Sequence, residues 1–182
     1  AWYLNNLEEE EIANIIFNYG EDRLSRRIAR KICEERSKGP IETTKQLENI
    51  CFHAYPPNMR HKRPHPATRT FQALRIHVNE ELRVLEDTLP KLYDLLAEDG
   101  QLMVISFHSL EDRIVKRTFK DIFQSDKNAV KILTKRPLTP SDEELEENPR
   151  SRSAKLRVIK KVNPGGVEHG GKKTKEKKNR KK

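Results

Sequence analysis

Cysteine is scarce in this chain: Cys33 and Cys51 are the only two among 182 residues, without CxxC spacing or a paired histidine motif. That argues against a zinc site and leaves no metal ligand set to assign. Two buried, reduced thiols in a cytoplasmic protein are the expectation. Long apolar runs are also missing, and none approaches the roughly 20 residues of a membrane span, so no membrane partner is expected. Aromatics make up only 6% of the chain, too few for a generic single-strand-binding platform. Glycine is thin as well. Gly165-Gly166 and Gly170-Gly171 lie after the last apolar segment with no helix behind them, so a glycine-rich cofactor loop is absent. Neither a Met nor a signal-peptide pattern opens the chain, whose AWYLNN start reads as the middle of something longer.

Charge is abundant. Charged residues are 36% of the chain, hydrophobic ones 34%, and the formal net charge is +9. The last twelve residues, GKKTKEKKNRKK, carry +7 of it and leave +2 for everything before them. Such a tail is expected to be disordered and to touch polyanions non-specifically. It says nothing about whether the folded part binds nucleic acid.

Helical periodicity dominates the first half. Asn5 or Asn6 can cap a helix with Leu7, Ile12, Ile15, Ile16 and Tyr19 on one side, ended by Gly20. A second helix points Leu24, Ile28, Ile32 and Cys33 inward, and turns Arg23, Arg26, Arg27, Arg30 and Lys31 outward among acids that suggest ion pairing. Thr43 and Gln46 have capping-box spacing and open a third helix, closed by Pro56-Pro57. After the basic loop NMRHKRP, Pro66 suits a helix start, and apolar residues from Phe71 to Leu96 continue at spacings of three and four. Pro90 should split or kink that run.

LMVISF, residues 102–107, is apolar on both faces and is expected to be an interior, usually parallel, strand covered by helices. Val130–Thr134 and Lys155–Val162 are further strand candidates, separated by an acidic, proline-bounded loop. The fold class is therefore α/β, with too few strands for a complete doubly wound sheet. A central strand without its neighbours is a template for association, so the chain is expected to self-associate.

Two stretches hold candidate functional residues. At the strand end, Ser106 and His108 stand where α/β sheets gather ligands, and could orient a substrate or move a proton. Ser109 reads better as a helix cap, and His108 is equally open to a local hydrogen bond. No G-x-S-x-G elbow supports a serine hydrolase. In HPATRTFQALRIHVNEEL, His65, Arg69, Gln72, Arg75 and Asn79 recur at helical spacing opposite Phe71, Leu74 and Val78. They form either a solvated polar face or one that grips phosphates or bases. Gln72 and Asn79, poor choices for helix stability alone, favour the second.

HPATRTFQALRIHVNEEL, LLAEDGQLMVISFHSLEDRIVKRTF and PLTPSDEELEENPRSRSAKLRV together resemble the bacterial and organellar small-subunit rRNA cytosine-N4 methyltransferases, the RsmH or MraW family. A weaker match reaches back to WYLNNLEEEEIANIIFNYGEDRLSRRIARKI, covering roughly residues 2–162. The resemblance implies an S-adenosylmethionine-dependent enzyme that methylates a cytosine of the 16S rRNA decoding region in the small ribosomal subunit. It implies a Rossmann-like methyltransferase sheet interrupted by an inserted helical domain. On that mapping, residues 1–58 are the insertion, 59–162 the C-terminal part of the methyltransferase domain, and 163–182 a disordered basic tail. The family's cofactor-binding motifs have no counterpart in these residues, so no cofactor ligand is carried over. The chain is expected to be a fragment or truncated gene product, inactive alone. A non-catalytic RNA- or ribosome-binding module is the alternative, and a helical protein adaptor a third.

Overall fold

The computed structural model describes residues 1–62 and 64–163. The expected basic tail, 163–182, lies outside the described residues apart from Asn163. Two compact units emerge: Ala1–Thr88 together with Ser109–Ile114, and Leu89–His108 together with the residues from Val115 onward.

The first unit is helical. It comprises α1 (Trp2–Asn6), α2 (Glu9–Gly20), α3 (Ser25–Arg36), α4 (Thr44–Ala54), the short α5 (Pro57–Arg60), α6 (Ala67–Val78) and the start of α7 (Glu81–Asp94). Ile12 and Ile16, Ile28 and Ile32, and Leu47, Ile50 and Cys51 meet in one core, each set repeating at helical spacing. α2 packs against both α3 and α6. Gly20 makes the second contact close, because a Cβ there would stand 2.6 Å from the Arg69 carbonyl oxygen.

Helix starts follow local chemistry. The Thr43–Gln46 box forms as expected: Gln46 N–H donates to Thr43 Oγ1 at 3.2 Å and Thr43 N–H to Gln46 Oε1 at 2.8 Å. The expected cap at Asn5 or Asn6 is not used. Glu8 caps α2 in a box with Glu11 instead. Asn5 is committed elsewhere, accepting from Ile41 N–H at 2.9 Å and donating to Ile41 O at 3.0 Å. Pro90 does not split its helix either. The break falls at Asn79 and Glu80, the latter left-handed at φ 50°, and Pro90 rides inside α7. Arg75 and Asn79 turn back onto Glu81 there and fix the turn. Pro90 forfeits a backbone bond, while its neighbour Leu89 and Tyr93 are buried.

The second unit holds β1 (Gln101–Ser106), the rest of α8 (Ser109–Ser125), β2 (Val130–Ile132), α9 (Asp142–Glu147), a 3-10 turn at Pro149–Ser153, and β3 (Lys155–Lys161). The sheet order is β1-β3-β2. β3 runs antiparallel to both neighbours, pairing Gln101 with Lys160 and Ser106 with Lys155 on one side, and Val130 with Lys161 on the other. A mixed helix-and-strand fold is therefore present, but β1 is neither interior nor parallel. Among the described residues β3 takes the centre and leaves β1 at an edge. Leu102 and Val104 are half-buried on one face, while Met103 and Ile105 are 62% and 58% exposed on the other. Phe119, Val115, Leu89 and Ile159 are the most deeply buried side chains of this unit. Lys161 ties β3 to the end of α7: its Nζ donates to the Asp94 and Leu96 carbonyls and lies over the Tyr93 ring. Among the described residues no helix is long and apolar enough to cross a membrane, and no group of His, Cys, Asp or Glu is placed to hold a metal ion.

Candidate functional site

The five RNA candidates lie on or beside α6, in the helical unit, and each has an intramolecular partner. Arg69 Nη1 donates to the Glu21 carbonyl at 3.0 Å, and Gln72 Nε2 to the Tyr19 carbonyl at 3.2 Å. Both acceptors sit at the C-terminal end of α2, where helical carbonyls lack backbone donors. Arg75 grips Glu81 through Nε at 2.9 Å and Nη2 at 3.1 Å, and Asn79 reaches the same carboxylate at 3.3 Å. His65 Nδ1 accepts from Ala67 N–H at 3.2 Å, so its Nε2 carries the proton, 3.7 Å from Glu48. Gln72 is thus accounted for by capping of α2, and Asn79 by its bond to the Glu81 carboxylate, before any ligand is invoked.

Glu21 is the hub of this region. It follows Gly20 in the left-handed conformation at φ 50°. Its carbonyl takes Arg69, while its carboxylate accepts from Ser109 Oγ and, at 3.0 Å, from Arg113 Nη2. The Ser109 hydroxyl, more than any other group, holds the Glu21 carboxyl below the usual carboxylate range, and Arg113 assists. Ser109 therefore anchors the first turn of α8 to the α2–α3 turn. Nothing in the one-dimensional pattern marked Glu21 beyond its place among acids around an arginine stripe. Of that stripe, Arg30 lies 3.8 Å from Glu9 and Lys31 pairs with Glu34.

Beneath Glu21 lies a buried polar cluster. Asp22 is 2% exposed. Its carboxylate accepts from Tyr55 Oη at 2.5 Å and from Leu24 N–H at 2.9 Å. Burial first, and the Asp22 carboxylate second, push the Tyr55 phenol up. Burial likewise pushes the neighbouring Cys51 thiol up to about 11, against the opposing pull of the Thr70 hydroxyl. These are inert, fold-fixing groups, and both cysteines remain unpaired thiols.

Ser106 and His108 fall in the second unit, at the end of β1. Ser106 is buried, and its hydroxyl donates to the Lys155 carbonyl over a long 3.4 Å. His108 is half-buried, with Nε2 shielded from solvent. The strand end thus offers one weakly engaged hydroxyl and one imidazole, a pair able to orient a polar group or accept a proton.

Comparison with known proteins bears on all of these residues. The MraW methylase family model matches residues 1–162. The ribosomal RNA small subunit methyltransferase H of Sulfurihydrogenibium sp. (strain YO3AOP1) is 54% identical over 159 residues, covering 87% of this chain and 54% of that protein. The protein of the same name from Deinococcus deserti is 58% identical over 159 residues, covering 87% and 51%. That from Clostridioides difficile (strain 630) is 48% identical over 172 residues, covering 87% and 55%. The chain spans about half the length of the curated relatives it matches. With the helical unit, β1 and β3 all inside the matched range, this chain belongs to the MraW methylase family.

Proposed function

We propose that the chain contributes part of an S-adenosylmethionine-dependent rRNA methyltransferase that modifies N4 of a cytosine in the 16S rRNA decoding region of the small ribosomal subunit, in the cytoplasm. The family match over residues 1–162 carries this reading, and the names of the relatives support it. In the same proposal, the three strands are the C-terminal part of a Rossmann-like sheet, and residues 1–58 are a helical insertion into it.

S-adenosylmethionine supplies an electrophilic methyl group in reactions of this class. Among the described residues none forms a glycine-rich turn between strand and helix: Gly20 and Gly39 lie in the helical unit and Gly100 precedes β1. The chain alone is proposed to be inactive, with the cofactor held by residues of the rest of the protein. Its own contribution is to substrate. His108 is the proposed acceptor of the proton that an exocyclic amine sheds on alkylation, with Ser106 orienting the amine. Met103, Ile105 and Phe107, exposed along the β1 edge, support self-association of the isolated chain.

The test joins this chain to the part of the Sulfurihydrogenibium relative that it does not cover. Incubated with labelled S-adenosylmethionine and unmodified small subunits, the chimera should transfer methyl to a cytosine amine, located by mass spectrometry of nucleosides. His108→Ala should slow that transfer by about 100-fold or more, the usual range for a lost general base. An inactive chimera beside an active intact relative refutes the reading, and RNA binding without transfer would favour a non-catalytic ribosome-binding module.

A further inference from the structure

From Asn49 to Asn79 the chain has no aspartate or glutamate, yet it carries Arg60, Lys62, Arg63, Arg69 and Arg75 and four of its six histidines. Part of this charge gathers around one ring. Phe52, half-buried on α4, meets His53 and His61 edge-on at 5.4 and 5.5 Å and His65 in a stacked arrangement at 6.1 Å. The Arg60 guanidinium lies 5.5 Å from the same ring centroid. Arg60 is not loosely placed: Nε donates to the Tyr55 carbonyl at 2.9 Å and Nη2 to the His53 carbonyl at 3.3 Å, so the end of α4 fixes it.

Several other cations of the helical unit and its surroundings are neutralised. Lys31, Lys38, Lys45, Arg75, Arg83 and Arg113 each pair with a carboxylate. Among the described residues no carboxylate comes within ion-pair distance of Arg60 or Lys62, and Glu48, 3.7 Å from His65, is already held by Lys45. Edge-on ring contacts and a cation over the ring face hold these groups around one benzyl side chain, and they bring flat imidazole faces and cationic heads together on one surface. A polyanion bearing flat rings satisfies both features, phosphates meeting the cations and bases stacking on imidazole and phenyl faces. An acidic peptide would satisfy only the charge.

We propose that this Phe52-centred patch is a docking surface for single-stranded RNA, with Arg60 and Lys62 on phosphates, the exposed His65 ring extending the Phe52 stack to one base, and the exposed His61 ring, edge-on to Phe52, offering its own face to another. It rests on the rRNA reading above and gives that substrate a place on the helical unit.

The experiment uses the full chain, a short single-stranded RNA carrying 4-thiouridine, and fluorescence anisotropy across a salt series. Lys62→Gln should flatten the slope of log affinity against log salt by about 0.7, one phosphate contact on a single strand. His61→Ala, an exposed side chain whose loss spares the fold, should weaken binding by about tenfold. Photo-crosslinks should map within residues 52–65. Crosslinks confined to the terminal basic residues, unchanged binding by both variants, or displacement of RNA by poly-glutamate as effective as by RNA would each overturn the patch. An active chimera alongside such a result would leave the rRNA reading standing. An inactive chimera would defeat that reading whatever the patch does.

Discussion

Tyr55→Phe isolates the bond that fixes the turn between α2 and α3. The substitution deletes one hydroxyl and keeps the ring, so packing is unchanged while the buried Asp22 carboxylate keeps only its Leu24 N–H donor among the bonds described here. A hydrogen bond to a buried charged group contributes about 1.5–3 kcal/mol. The expected loss is about 2 kcal/mol, close to thirtyfold in the folding equilibrium constant. Urea unfolding followed by far-ultraviolet circular dichroism at pH 7 measures it, alongside Asp22→Asn and the double variant. The two single losses should exceed their joint loss by about 1 kcal/mol or more, because both remove the same contact. The raised phenol adds a pH signature. A proton held more tightly in the folded state stabilises fully below the ordinary tyrosine pKa, about 10, and that contribution is lost as pH rises through the higher folded value. A Tyr55→Phe protein within 0.5 kcal/mol of the parent, or strictly additive losses, would refute the account.

Glu21→Gln should cost up to about 1 kcal/mol, since its bonds to Ser109 and Arg113 are exposed. The lowered carboxyl makes that cost visible above the unfolded carboxylate pKa, about 4.3, and it should vanish as pH falls through the folded value, which pH-dependent melting would show. Cys33 should react with a thiol reagent at pH 8 well before Cys51, which is fully buried with its thiol pushed up to about 11; equal rates in the folded chain would contradict the burial argument. Gly20→Ala should destabilise by about 1–3 kcal/mol despite alanine's helix preference, because the added methyl meets the Arg69 carbonyl. A stabilised variant in urea titration would show that α2 and α6 can part at little cost.

Local signals were legible where one residue type does one job. The Thr43–Gln46 box, the stop before Pro56-Pro57, and the inward sets Ile12/Ile16 and Ile28/Ile32 all stand as the sequence implied. Partner-dependent features were not. LMVISF has the composition of an interior strand, but its position was decided by β3, more than forty residues later, entering between β1 and β2. Pro90 looked like a helix breaker because its lost bond is a local cost, whereas the burial of Leu89 and Tyr93 is a tertiary gain. Gln72 and Asn79 stand out in the sequence as polar amides on a helix face, but the groups they serve, the Tyr19 carbonyl and the Glu81 carboxylate, are set by tertiary folding. Glu21 stood out only as one acid beside an arginine stripe, since a carboxylate that joins residues 88 positions apart looks like any other surface acid.

Placing the C-terminal strand in the middle of the sheet imposes a schedule on synthesis. Among the described residues β1 and β2 do not hydrogen-bond to each other, and both take β3, residues 155–161, as ladder partner, so neither of these pairings forms until those residues leave the ribosome. The helices of the first unit close over much shorter loops and need not wait. The helical unit can therefore close while Leu102–Phe107 still lacks its β3 partner, and that interval is when a chaperone holding extended apolar chain has most to protect.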